Sequence, residues 1–357
     1  MKTLIVQTAY LGDLLLSIPL LKNLRQIRSE DELVLFCRKG FGELFKSMNL
    51  VHEVIEVDKN TSGSWKDAIQ GLKKYEYEWI VSPHESFRTA TILWRLRAKL
   101  KLGFSSWRTS WAYNKTIRRP MEWPDALRQL SLLEDLNSQL KANFEELRER
   151  KKFLNSNTEK DLSETIPEFA SMSVRSRVQA WKFSANNITL PPEFICMSPG
   201  SVWATKRWPV EKFIDLAKLR LSHGDQIVLL GSPAEADIAA KIATEAPQVQ
   251  NLCGQTSLTD TLKILSQSRV LVSNDSGAQH MAAAVDTPVV SIFGPTTLEL
   301  GYRAWVAPTK VAQIDLECRP CGKHGSQKCP LGTHECMRAL SVDRVNSLIN
   351  QIISSIS

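Results

Sequence analysis

The sequence predicts an α/β protein of two domains, each a parallel sheet covered by helices on both faces. Three observations carry this. Short apolar runs of strand length alternate with amphipathic stretches of helix length, first from Thr3 and again from Pro191. The runs are close to continuous in apolar residues, as in strands buried on both sides. At 357 residues the chain is also longer than a single core needs. The expected division is 1–187 and 188–357, the second domain carrying a cysteine-rich segment at 318–336 and a C-terminal helix.

The first domain opens with a strand, TLIVQTA, a short turn, YLGD, and a helix, LLLSIPLLKNLRQI. ELVLFCR and VIEVD follow as strands, EWIVSP (Glu78 to Pro83) is another, and SFRTATILWRLRAKL reads as a helix. Leu127, Leu130, Leu133, Leu136, Leu140, Phe144 and Leu147 recur at three and four, which predicts one long amphipathic helix. The polar, aperiodic stretch within 148–166 reads as a surface excursion. In the second domain FICMSPG, QIVLLGS, RVLVSND and PVVSIFGPT read as strands. PVEKFIDLAKLRLSH, PAEADIAAKIATEA, TLKILSQS and SGAQHMAAAVD read as the helices between them. In such folds ligands sit at the carboxyl ends of strands, so a cleft between the domains is the expected site.

Composition narrows the class. Hydrophobic residues make up 43% and charged residues 23%, the usual mix for a soluble globular chain, and no apolar run reaches the length of a membrane span. Asp13 interrupts the N-terminal apolar region and no small-residue cleavage site follows, so the expectation is a cytoplasmic protein without a signal peptide. Seven cysteines, an odd number, fit a reducing compartment better than a disulfide framework. A net charge of +7 hints at an acidic partner.

Asp13 falls where the first strand hands over to a helix, a position that suits a helix N-cap or a catalytic carboxylate. The stretch has one glycine, Gly12, where a dinucleotide fingerprint needs three, which argues against a nicotinamide enzyme. In SPGSVWATKRWP, Ser198 to Pro209, a broken strand leads through a small-residue loop into a helix. Ser201, Thr205, Lys206 and the helix N-terminus together suit a diphosphate. In VSNDSGAQHMAAAVDTP, Val272 to Pro288, Ser276 and the N–H groups of Gly277 and Ala278 suit an anion. Asp275 there orients them or takes a ribose hydroxyl, and His280 borders the same pocket or is a structural residue.

From Ser86 to Arg119 there are nine basic residues, among them Arg88, Arg118 and Arg119, and no Asp or Glu, with Trp94, Trp107 and Trp111 interleaved. That imbalance favours an anionic partner: nucleic acid, or lipid headgroups with tryptophans at the interface. Cys318, Cys321, Cys329 and Cys336, with His324 and His334 nearby, are compatible with a structural zinc, or are free thiols packed in a loop.

Together these motifs resemble the ADP-heptose:lipopolysaccharide heptosyltransferases, glycosyltransferases with two Rossmann-like domains in the GT-B architecture. CPLGTHECMRALSVDRV is most similar to the heptosyltransferase II branch. The resemblance implies an inverting transfer of heptose from ADP-heptose to the inner core of lipopolysaccharide, with heptosyl-Kdo2-lipid A the favoured acceptor. Asp13 would be the general base and Lys206 the cation that neutralises the departing diphosphate, without a catalytic cofactor. Asp275, Ser276, Gly277 and His280 match its donor-binding segment, with Glu235 the candidate for the ribose hydroxyls. Thr8, Tyr10, Gly12, Arg88, Arg118 and Arg119 are expected on the acceptor side, at the inner face of the inner membrane and in peripheral contact with its anionic surface. Three alternatives remain: a first-heptose transferase acting on Kdo2-lipid A, a nucleotide-sugar epimerase of the same fold, and a basic nucleic-acid-binding protein, though no nucleic-acid partner is expected.

Overall fold

The computed structural model describes residues 1–150, 166–184, 188–306 and 308–356, and these form two compact units. The polar excursion expected within 148–166 therefore lies almost wholly outside the described residues.

The first unit takes in the described residues up to 150 together with 167–171. Its strands are β1 (Lys2–Gln7), β2 (Glu32–Arg38), β3 (Glu53–Val57), β4 (Tyr77–Ser82), β5 (Ala98–Phe104) and β6 (Lys115–Ile117). They form one parallel sheet in the order β3-β2-β1-β4-β5-β6. The helices are α1 (Leu11–Leu15), α2 (Ile18–Ile27), α3 (Gly42–Ser47), α4 (Ser62–Leu72), α5 (Phe87–Trp94), α6 (Asp125–Leu130) and α7 (Ser138–Arg150). Leu4, Val6, Val34, Phe36 and Ile80 fill its core with Leu93 and Leu96 from the α5 side.

Three sequence expectations are corrected here. The first helix is two, because Pro19 has no N–H to give an unbroken helix and instead sits in the first turn of α2. SFRTATILWRLRAKL is a helix only to Trp94. Lys99, Leu100, Lys101 and Leu102 alternate with period two, and they continue as β5 against β4, Leu102 opposite Val81. The long helix from Leu127 to Leu147 is α6, a 3-10 stretch and α7, broken where Asn137 accepts the Leu140 N–H at 2.8 Å. Its apolar residues are nevertheless buried, Leu136 only in part.

The second unit takes in Ile166 and the described residues from 172 onward. The stretch 172–184, assigned from sequence to the first domain, packs here: the Val174 N–H donates to the Ala284 carbonyl at 2.7 Å and the Ser184 N–H to Asp260 at 2.7 Å. After α8 (Arg175–Gln179) come β7 (Ile195–Ser198), α9 (Val210–Ser222), β8 (Ile227–Leu229), α10 (Ala236–Glu245), β9 (Gln250–Asn251) and α11 (Leu258–Leu265). They are followed by β10 (Val270–Asn274), α12 (Gly277–Ala284), β11 (Val289–Ile292), β12 (Thr309–Ala312), α13 (Glu335–Arg338) and α14 (Val342–Ile356). The parallel sheet runs β12-β11-β10-β7-β8-β9. Val345, Leu348, Ile349 and Ile352 of α14 close its core over Met197, Val272 and Ile292.

Both sheets have the same strand order, with the chain reversing direction across the sheet between β1 and β4 in one and between β7 and β10 in the other. That is the doubly wound Rossmann-like arrangement, whose ligands gather outside the carboxyl ends of the strands at the reversal. Among the described residues no helix is long and apolar enough to cross a membrane.

Candidate active site

In the first unit the reversal point is tied by one histidine. Thr8, just past β1, and Thr89, at the start of α5, both place their hydroxyls on Nδ1 of His84, at 3.2 and 3.0 Å. Burial first, then the charges of Lys59 and Arg119, pull His84 down to about 4, so the ring is neutral near pH 7. Sequence reading missed this residue, although its place directly after EWIVSP follows the strand-end rule that picked out Asp13.

Asp13 lies on α1, three residues past the N-cap position at Tyr10, so it is not itself the cap. The backbone at Asp13 and Tyr10 acts to lower its pKa. Burial, and after it the charge of Asp125, still raises its pKa to about 6, with Arg119 pulling the other way. The Asp13 carbonyl receives Nε2 of Gln129 at 3.0 Å, which fixes the turn from below.

The expected acceptor residues separate. Thr8 is buried on His84, Tyr10 is exposed with the Arg38 guanidinium 5.2 Å from its ring, and Gly12 is half-buried in α1 beside Asp13. Arg88 is exposed, lies over the Trp65 ring at 4.8 Å, and lines a cavity of about 450 Å³ with Lys59 and Thr91. Lys59 is held below the usual lysine range by burial and by Arg38 and Arg88, while Asp13 acts to raise it. A cation pressed by like charges in this way favours an anionic ligand. Arg118 is exposed. The Arg119 guanidinium bonds Glu85 and Asp125, each at 2.5 Å.

The second unit repeats the pattern. Asn274, at the end of β10, reaches across the reversal: its Nδ2 donates to the Pro199 carbonyl at 2.8 Å, and its Oδ1 accepts the Trp208 N–H at 3.0 Å. This holds the SPGSVWATKRWP loop against β10 and brings Lys206 to Asp275, Nζ to Oδ2 at 2.6 Å with both side chains buried. Thr296 donates to the same carboxylate oxygen at 2.7 Å and Gln279 to the other at 2.9 Å. Gln279 and Thr296 were not singled out from sequence. Gln279 stands four residues after Asp275, one helical turn on.

Ser276 is the N-cap of α12, its hydroxyl accepting the Ala278 N–H at 3.4 Å. The first turn it opens, Gly277 included, is only partly covered. His280 is buried in the second turn of that helix. Glu235 is half-buried and accepts the Ser232 N–H and hydroxyl through one oxygen, at 2.7 and 2.9 Å. Its other oxygen faces Gly200, where a Cβ would come within 2.0 Å. Ser201 is buried, and its carbonyl accepts Nε of Arg207 at 2.7 Å. Thr205 is spent elsewhere: its hydroxyl donates to the Ser326 carbonyl at 2.7 Å and accepts the Ser326 N–H at 2.9 Å.

The zinc expectation is corrected. The four cysteines are free thiols, and among the described residues no group of three or more His, Cys, Asp or Glu is placed to hold a metal ion. Their candidate ligands are turned to other uses. Cys329 accepts the His334 N–H at 3.4 Å, Nε2 of His334 meets the Thr205 carbonyl at 2.7 Å, and Cys336 is buried in the core. The segment instead buttresses the Lys206 loop, through Ser326 on Thr205 and Gln327 on the Val202 carbonyl, while Arg319 bonds the carbonyls of Gly294, Ile314 and Thr296.

Two Rossmann-like units of one topology are the GT-B architecture of glycosyltransferases, here with the half-buried carboxylate of Asp13 in one unit and the Lys206–Asp275 pair in the other. Residues 65–331 match the model of glycosyltransferase family 9 (heptosyltransferase), and the chain belongs to that family. Asp13 lies ahead of the matched span. Lipooligosaccharide heptosyltransferase 2 of Campylobacter jejuni is 30% identical over 155 residues, which are 42% of this chain and 47% of that protein. The chain thus spans about half the length of the curated relatives it matches. The solved structure of E. coli ADP-heptose lipopolysaccharide heptosyltransferase II superposes with a TM-score of 0.73 at 19% identity, over 100% of this chain and 99% of that one. An E. coli heptosyltransferase solved with ADP gives 0.72 at 20% identity, over 99% and 100%.

Proposed function

We propose that this protein is an inverting glycosyltransferase that moves heptose from ADP-heptose to the inner core of lipopolysaccharide, with heptosyl-Kdo2-lipid A as acceptor, at the inner face of the inner membrane. The observation that carries the reading is the environment of Asp13, a carboxylate on α1 beyond the end of β1, brought to about 6 by burial and Asp125. A carboxylate so poised is ionised at neutral pH yet basic enough to take a hydroxyl proton. The acceptor oxygen forms a bond to the anomeric carbon as its proton passes to Asp13. The bond from that carbon to the diphosphate breaks, and ADP leaves with the electron pair. Lys206 supplies positive charge to the departing diphosphate, with Asp275 fixing its ammonium until the donor arrives. Ser276, the first turn of α12 and Glu235 hold the nucleotide, and Arg88 and Lys59 receive acidic groups of the acceptor. The choice of second-heptose branch rests on the names of the curated relatives, several of them heptosyltransferase 2.

The test is ADP release from ADP-heptose with Kdo2-lipid A and with heptosyl-Kdo2-lipid A, for wild type and Asp13→Asn. Turnover confined to the heptosylated acceptor and lost in the variant supports the proposal. Turnover with Kdo2-lipid A moves the protein to the first-heptose branch, and no turnover with either sinks the substrate assignment.

A further inference from the structure

Outside the site, the described residues leave few large aromatic side chains in water, and four of them fall within one stretch of the first unit. Phe87, Trp94, Trp107 and Trp111 are 57%, 64%, 92% and 47% exposed. Phe87 and Trp94 stand two turns apart on α5. Trp111, on the 3-10 turn at Ser110–Ala112, meets both edge-on, with ring centroids 6.1 and 6.4 Å apart. The three rings thus make a continuous ribbon, and Trp107 precedes the third by four residues. Exposed apolar groups scattered singly need no explanation, but a contiguous aromatic patch does.

Its surroundings are cationic. Arg88 and Arg95 directly follow two of the rings in sequence and are exposed. The Arg108 guanidinium lies 5.7 Å from the Trp107 ring centre, and the Arg108 carbonyl accepts Nε1 of Trp111 at 2.9 Å. Among the described residues no carboxylate pairs with Arg88, Arg95 or Arg108, whereas Arg97 and Lys99 have Glu76 and Glu78. Tryptophan prefers the boundary between hydrocarbon and water, and unpaired arginines are drawn to anionic headgroups within a Debye length. A protein partner's hydrophobic pocket would match the rings but leave these cations uncompensated.

We infer that the ribbon Phe87–Trp111–Trp94, with Trp107, Arg95 and Arg108, is the face by which the protein docks on an anionic phospholipid bilayer. The rings enter the headgroup region and the guanidinium groups meet lipid phosphates. The inference deepens the proposed function, since a lipid-anchored acceptor is met at such a surface. Its test does not need the acceptor, so the two can fail separately.

The full chain is sedimented with vesicles of phosphatidylglycerol and phosphatidylethanolamine, and with vesicles of phosphatidylcholine alone, across a salt series. The expected result is binding to the anionic vesicles that weakens with salt. Arg108→Gln lowers the partition coefficient about fivefold, and Trp94→Ser/Trp107→Ser lowers it at least as much. Both variants keep the wild-type circular dichroism and wild-type turnover on a delipidated, water-soluble acceptor. If that turnover is absent in wild type as well, the vesicle result still decides the docking surface. Equal binding to neutral vesicles, no binding by wild type, or variants that bind as well as wild type would each overturn the inference. So would tighter binding to single-stranded oligonucleotides, lost in the same variants, because the face would then serve nucleic acid.

Discussion

The Lys206 ammonium lies 2.6 Å from Oδ2 of Asp275, both groups buried, and that same oxygen also accepts the Thr296 hydroxyl at 2.7 Å. A buried pair of this kind is far more costly to halve than to remove. Lys206→Met leaves a buried carboxylate without its cation and is expected to cost roughly 3–5 kcal/mol of stability. Lys206→Met/Asp275→Asn recovers most of that, since an amide needs no counter-charge and Gln279 still offers a partner. Turnover separates from stability: kcat falls about 10²–10³-fold in the single variant and stays low in the double one. Urea midpoints beside kcat values check this, and a double variant with restored turnover would show that Lys206 serves only to neutralise Asp275.

Asp13 predicts a pH profile. With its pKa at about 6, kcat/KM is flat above neutrality and falls tenfold per unit below that point, because only the ionised carboxylate accepts the proton. Asp13→Asn removes about 10²–10⁴-fold of the rate, and with it the limb. Stability moves the other way. The folded state holds the proton more tightly than the unfolded chain, so the contribution is fully present below about 4 and is lost as pH rises through about 6. Asp13→Asn is therefore expected to match wild type at pH 4 and exceed it by about 1–3 kcal/mol at pH 7.5. Denaturant unfolding at the two pH values decides it, and a variant less stable than wild type at pH 7.5 contradicts the assignment.

Arg119 sits between two roles, and the same profile tells them apart. It bonds Glu85 and Asp125, and its charge opposes the rise in the Asp13 pKa. Arg119→Gln removes that opposing charge and frees Asp125 to act on Asp13. The acid limb then moves to higher pH by up to about one unit, with the acceptor KM little changed at pH 8. A raised KM with an unmoved limb would instead make Arg119 an acceptor ligand.

Asp13, Lys206 and Asp275 were legible because each lies at or beyond the carboxyl end of a strand long enough to show its apolar run. Their partners were not. Thr296 reaches Asp275, and His84 reaches Thr8, through contacts that depend on which strands are neighbours, whereas Gln279 and Thr89 are local partners whose residue types do not by themselves mark a site. Strand order leaves no local mark in sequence. The misread helix after Ser86 has a local cause: Ile92, Leu93, Leu96 and Leu100 recur at helical spacing, while the two-residue alternation from Lys99 is short enough to be absorbed into it. Thr205 looked like a phosphate ligand by type and place, and only the cysteine-rich segment, folding over it through Ser326, shows that its hydroxyl is engaged. Strands β6 and β9, of three and two residues, are too short to carry any period.

Gly200 makes the last prediction. No unusual backbone angle requires glycine there. The requirement is space, since a Cβ would lie 2.0 Å from Oε1 of Glu235 and 2.1 Å from its Cδ. Ser232 grips the other carboxylate oxygen through its N–H and hydroxyl, so the glutamate cannot yield without breaking those bonds. Gly200→Ala should displace Glu235 and weaken ADP binding roughly tenfold, about what losing hydrogen bonds to a charged group removes. Glu235→Ala should weaken it by a similar factor. The double variant should bind no worse than either single one, because both changes remove the same contact. It should also be more stable than Gly200→Ala alone, the overpacking having been relieved. Calorimetric titration with ADP on all four proteins is the measurement. If Glu235→Ala binds ADP as wild type does, the glutamate is a structural clamp on the loop after β8 and the ribose is held elsewhere. If the two losses add, Gly200 and Glu235 act on the nucleotide independently and the close approach between them is incidental.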